Sequence, residues 1–179
     1  SMSRRGWKKI GSTESLRGPI DVFRRHVGHG HPAVVEAIAR QSALLNTHTR
    51  YLHEGVLDYL ERLTATLGHG IGQGIMVCTA SEGNDIALRM AQAVTGKTGI
   101  IATDATYHGN TSATSVLSTR RPPIGGYPPH VRLVAAPRNH EGPGPDTRAQ
   151  DFAADVERAI AELEEAGIGF SCLIVCPFF

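Results

Sequence analysis

The sequence predicts an α/β fold: a mostly parallel sheet with helices on both faces. Three observations carry that prediction. Four short, continuously apolar runs, "IMVC" at 75–78, "GIIAT" at 99–103, "VRLVAA" at 131–136 and "CLIVC" at 172–176, have the β-branched composition of strands buried on both sides. Segments of helical period separate the first run from the second and the third from the fourth. The remaining connections are dense in Gly and Pro, as loops over a sheet edge are.

Taken in order, residues 3–20 are basic and irregular, and Ser1-Met2 has the form of a scar left by tag removal. From Pro32 onward, "PAVVEAIARQSALL" places Val34, Ile38 and Leu45 on one helical face, with Pro in the first turn, where its missing N–H costs nothing. After "NTHTRYLHEG", a second amphipathic helix carries Val56, Leu60, Leu63 and Leu67. The helix at 82–95 turns Ile86, Ala87, Met90, Ala91 and Val94 toward the sheet; the one at 150–166 offers Phe152, Val156, Ile160 and Leu163. Residues 118–130 and 137–147 read as loops. The chain reaches Pro177-Phe178-Phe179 with a strand just completed, so the first part of a longer protein is expected.

Composition excludes several classes. With 179 residues, 41% hydrophobic and 20% charged, the chain is globular. A net charge of +1, with Lys and Arg scattered, leaves no basic stripe, so no nucleic-acid partner is expected. No apolar run nears the ~20 residues that span a bilayer, and no signal-peptide core is present; no membrane partner and a cytoplasmic location are expected. Cys78, Cys172 and Cys176 are odd in number and argue against a disulfide framework. His26, His29 and His31 in "RRHVGHGHP" lack an acidic or Cys partner at ligand spacing, so no metal is expected.

The chemistry concentrates in "VCTASEGNDIALRMAQA", residues 77–93. Thr79 and Glu82 have the spacing of a capping box, and the small residues at 80, 81 and 83 let a ligand approach the backbone. A helix N-terminus with free N–H groups and a Ser hydroxyl binds phosphate. Taken alone, an ordinary N-cap with nothing bound explains the stretch as well. "TYHGN" at 106–110 follows the second predicted strand and so falls on the same sheet edge. An aromatic beside a His there can stack on a flat heteroaromatic ring whose phosphate sits in the cup. Other signals fail on context: "GHGIGQG" precedes its strand, and "GKT" at 96–98 lacks the upstream Gly of a phosphate loop. Asn110-Thr111-Ser112 fits a glycosylation pattern without a secretory signal to make it meaningful.

As a set, "HVGHGHPAVVEAIARQ", "LNTHTRYLHE", "CTASEGNDIALRMAQAVTG" and "ATYHGNT" resemble the N-terminal part of the class III, fold type I, pyridoxal-phosphate-dependent aminotransferases, from about residue 19 to the end. The branch containing alanine–glyoxylate aminotransferases and amino-alcohol phosphate lyases is the most similar. The resemblance implies pyridoxal 5′-phosphate (PLP) as cofactor, held at the phosphate by Ala80 and Ser81, with Tyr107 over the pyridine ring and His108 beside it. It implies that Tyr51 and His53 lie near the substrate and the dimer interface. Residues 1–54 would belong to the small domain and 55–179 to the first part of the PLP-binding large domain. The implied reaction moves an amino group from an amino acid or ω-amine to a 2-oxo acid or aldehyde, in a homodimer. A phospholyase of the same family, a non-catalytic binding module and a metal-dependent hydrolase are the alternatives.

The sequence departs from the family pattern in three places. Ala80 replaces the usual Gly of the phosphate turn, and Cys176 replaces a customary Glu. The Lys that forms the Schiff base and the Asp that partners the pyridine nitrogen have no counterpart: Lys8, Lys9 and Lys97 do not match the catalytic position. No catalytic residue is therefore expected within these 179 residues, which alone should be inactive.

Overall fold

The computed structural model describes residues 30–48, 50–68, 70–140 and 144–176, which fall into two compact units, the first ending at Leu63 and the second beginning at Thr64. The first unit holds helix α1 (Pro32–Leu44) and most of helix α2 (Glu54–Ala65). Pro32 takes the first helical position, as its fixed φ favours. Neither helix buries a residue, and most of the apolar positions read from the sequence are exposed, Ile38 to 62% and Val34 to 43%. Leu67, assigned to the second face, lies beyond the end of α2.

In the second unit, helix α3 (Ala80–Thr95) leads into strand β1 (Gly99–Thr103), followed by the short helix α4 (Ser112–Ser115) and strand β2 (Val131–Val134). A 3-10 turn (Pro137–Asn139), helix α5 (Pro145–Glu165) and strand β3 (Phe170–Ile174) complete it. The sheet is parallel, in the order β2-β1-β3, with Ile100 opposite Val131 and Cys172. All five residues of β1 are buried, because alternate side chains enter two different cores. Ile100 and Ala102 pack with Leu88 of α3, Leu117 and Val131, whereas Ile101 packs with Val134 and with Ala159 and Leu163 of α5. The chain is thus α/β, with helices on both faces of the sheet.

Sequence expectation and structure part at four places. "IMVC" at 75–78 forms no strand, and Ile75, Met76 and Val77 are exposed. The run pairs with none of the three strands, and the outer edges of β2 and β3 carry no partner among the described residues. The last strand runs from Phe170 to Ile174, two residues earlier than 172–176, so that Leu173 pairs with Ile101. Helix α5 starts at Pro145, with Pro in the first position, inside what reads as loop. Helix α4 was not anticipated; Thr111 and Thr114 cap it reciprocally.

Candidate functional site

The geometry begins at the N-terminus of α3. Thr79 is the N-cap, and its hydroxyl accepts from the Glu82 N–H at 3.2 Å. The Glu82 carboxylate reaches back to the N–H of Cys78 at 2.8 Å, one residue earlier than a standard capping box. Ala80 and Ser81 occupy the first two helical positions, where an α-helix leaves its N–H groups without an internal acceptor. Ala80 is exposed and Ser81 half-buried.

The loop after β1 is tied to this turn by two bonds. Ser81 Oγ accepts from the Asn110 N–H at 3.2 Å, and Asn84 Nδ2 donates to the His108 carbonyl at 2.8 Å. With its oxygen engaged by Asn110, the Ser81 hydroxyl still has its own proton to donate outward. Gly109, at φ +135°, makes the close approach possible: a Cβ there would lie 2.6 Å from Ser81 Oγ and 2.7 Å from Thr114 Oγ1. The structure therefore brings Ser81, Tyr107 and His108 onto one edge, beyond the carboxyl end of β1.

The two members of the aromatic pair differ in setting. Tyr107 is 46% exposed, with ring surface free to stack. His108 is buried; its N–H donates to Ser118 Oγ at 2.9 Å, and its Nε2 has no partner among the described residues. Burial pushes this imidazole below its ordinary value, which favours the neutral ring.

Asp104 anchors the same loop from below. Its Oδ1 accepts from the Ala136 N–H at 2.7 Å and from Asn139 Nδ2 at 2.9 Å, joining the ends of β1 and β2. Between Asp104 and the aromatic pair, Ala105 holds φ +56°, a left-handed conformation unusual for a residue with a Cβ. Sequence reasoning missed Asn84, Asp104, Gly109 and Asn110. The adjacency of His108 and Gly109 in "YHG" was the available signal, since Gly allows the backbone to approach another group.

Tyr51 and His53 belong to the first unit, where they line a cleft of about 320 Å³ with Gln41, Thr47 and His48. Of the three clustered histidines only His31 is described, directly before α1; His26 and His29 lie outside the described residues. Among the described residues no group of three or more His, Cys, Asp or Glu is placed to hold a metal ion, and no helix is long and apolar enough to cross a membrane. Lys97 precedes β1 and so stands at the opposite end of that strand from the cup, while Lys8 and Lys9 lie outside the described residues.

A helix N-terminus and an exposed aromatic are thus joined beyond the carboxyl end of a parallel strand, the place where α/β domains carry their ligands. The family described as Aminotransferase class-III matches residues 22–175, and the chain belongs to it. It is 32% identical over 158 residues to the alanine–glyoxylate aminotransferase 2-like protein of Drosophila melanogaster, covering 83% of this chain and 32% of that protein. A phospholyase from Arthrobacter, solved in complex with phosphoethanolamine, aligns with a TM-score of 0.75 and 36% identity over 86% of this chain and 37% of that one. The taurine:2-oxoglutarate aminotransferase from Bifidobacterium kashiwanohense, solved with PLP and glutamate, shares the fold at a TM-score of 0.68 and 22% identity. It covers 83% of this chain and 35% of that one. The architecture is thus part of the fold type I arrangement of PLP-dependent enzymes, and the chain spans about a third of the length of these relatives.

Proposed function

We propose that these residues form the N-terminal part of a PLP-dependent aminotransferase that moves an amino group from an amino acid or ω-amine to a 2-oxo acid or aldehyde. The observation that carries the reading is the bond from the Asn110 N–H to Ser81 Oγ, which joins the open helix terminus to the loop of Tyr107 and His108. The cup fits a phosphate: the backbone N–H groups of Ala80 and Ser81 and the Ser81 hydroxyl are donors, and the α3 terminus favours an anion. Tyr107, which is exposed, would stack on the pyridine ring, and the neutral His108 would add no positive charge beside it. When bound, PLP supplies an electron sink for the bonds at the amine-bearing carbon of the substrate. The positioning of Tyr51 and His53 near that substrate rests on the family resemblance.

The same reading assigns residues 1–54 to the small domain and 55–179 to the first part of the large domain. It includes a homodimer, supported by apolar faces of α1 and α2 that bury no residue. Three free thiols suit a cytoplasmic setting. A phospholyase is the second reading, favoured by the 36% identity to the Arthrobacter enzyme. Release of inorganic phosphate from phosphoethanolamine by the whole polypeptide distinguishes it from amino transfer.

The test is titration with pyridoxamine 5′-phosphate, whose amine does not condense with lysines. Saturable binding should weaken about tenfold in Ser81→Ala, the size of one charge-assisted hydrogen bond. Binding untouched by both Ser81→Ala and Tyr107→Ala overturns the assignment of the cup.

A further inference from the structure

The cleft in the first unit is lined by Gln41, Leu45, Thr47, His48, Tyr51, His53, Gly55 and Val56, with no carboxylate among them. Its two imidazoles are fixed in the same way. His48 Nδ1 accepts from the Arg50 N–H at 3.1 Å, and His53 Nδ1 accepts from the Gly55 N–H at 3.1 Å. A ring nitrogen that accepts from a backbone N–H carries no proton, so in each neutral ring the proton resides on Nε2. Both rings therefore present a donor and no acceptor to their surroundings.

His53 is held tightly in this state. It directly precedes α2, its side chain satisfies one of the free N–H groups of that helix, and its ring lies over Gly55, where a Cβ would stand 3.0 Å from Cε1. Capping explains Nδ1 and leaves Nε2 over. That atom faces Gln41 Nε2 at 3.3 Å, while the same amide nitrogen donates to the Leu45 carbonyl at 3.0 Å. The amide cannot turn its oxygen to His53 without breaking the bond to Leu45 and setting two oxygens against each other. Two donors thus meet with no acceptor between them. An oxygen bearing negative charge, placed where they converge, satisfies both.

We propose that this cleft binds an oxyanion, a carboxylate or a phosphate, through His53 Nε2 and Gln41 Nε2. Thr47 and Tyr51 also line the cleft and carry hydroxyls. The preference for an oxyanion stands on the cleft alone. Its identification with the acidic group of the amino donor or oxo-acid acceptor rests on the proposed function.

The experiment follows the imidazole and side-chain amide resonances of the protein by NMR during titration with inorganic phosphate, and separately with acetate. Saturable shifts of His53 and Gln41 are expected. His53→Asn retains a capping side chain but is too short to place a donor at the ring Nε2 position, so it should leave the melting temperature in place and weaken binding about tenfold or more. Gln41→Leu should weaken binding to a similar degree. Stronger response to phosphate than to acetate identifies a phosphate-bearing ligand, and the reverse a carboxylate. Shifts that never saturate, or that persist in both variants, overturn the proposal. The Ser81 amide, read in the same spectra, reports the PLP cup independently: its response without one from His53 overturns the cleft and leaves the cup standing.

Discussion

Strand β1 and helix α1 are both apolar and both regular, yet every residue of β1 is buried and none of α1 is. The difference lies in what each is given to pack against. β1 has a hydrogen-bonded neighbour on either side and a helix over each face, so its side chains complete two cores. Helix α1 closes its own backbone bonds, but a helix of 13 residues is marginal in water until its apolar face is packed. Periodicity tells which face of an element is apolar; it does not tell whether that face is covered.

The comparison gives its largest effect in the sheet. Ile101→Ala removes a fully buried side chain between Val134 and Leu163 and should cost about 2–5 kcal/mol. A urea unfolding curve that shifts by less than about 1 kcal/mol would place β1 nearer to α1 in character. Gly109→Ala comes next. It forces a Cβ into a φ of +135° and against Ser81 Oγ, a strain of about 1–3 kcal/mol. Its loss should be read both in thermal unfolding and in weakened binding of pyridoxamine 5′-phosphate.

A smaller effect comes from His108. Its value in the folded chain is lowered by burial, so the unfolded state binds the proton more tightly. The contribution to stability is fully present above the ordinary value of 6.5 and is lost as pH falls from there through the lowered folded value. Unfolding curves recorded down this window should show that loss, and His108→Gln should flatten it. The smallest effect belongs to α1: Ile38→Ser, at a site 62% exposed, should change stability by no more than about 0.5 kcal/mol. A large loss in that variant would mean that the face is covered in solution.

These contrasts also mark what the sequence could tell. The α/β class was legible because "GIIAT" and "VRLV" are continuous apolar runs that find neighbours on both sides. "IMVC" carried the same signal and forms no strand, since pairing is a property of the partner as much as of the run. At the site, Thr79 was readable as a cap because capping is local. The bonds from Asn84 to His108 and from Asn110 to Ser81 join residues 24 and 29 positions apart, and no local spacing encodes them. Burial of His108 escaped for the same reason: a His beside a Tyr looks like surface until the covering Ser118 is in place.

The order β2-β1-β3 also fixes a sequence of events in time. Both hydrogen-bonded neighbours of the central strand come later in the chain, at Val131–Val134 and Phe170–Ile174. During synthesis, residues 80–111 are made before any partner of β1 exists, and parallel pairing across such long crossovers is a slow step. The two halves of the cup therefore emerge together and wait for the sheet.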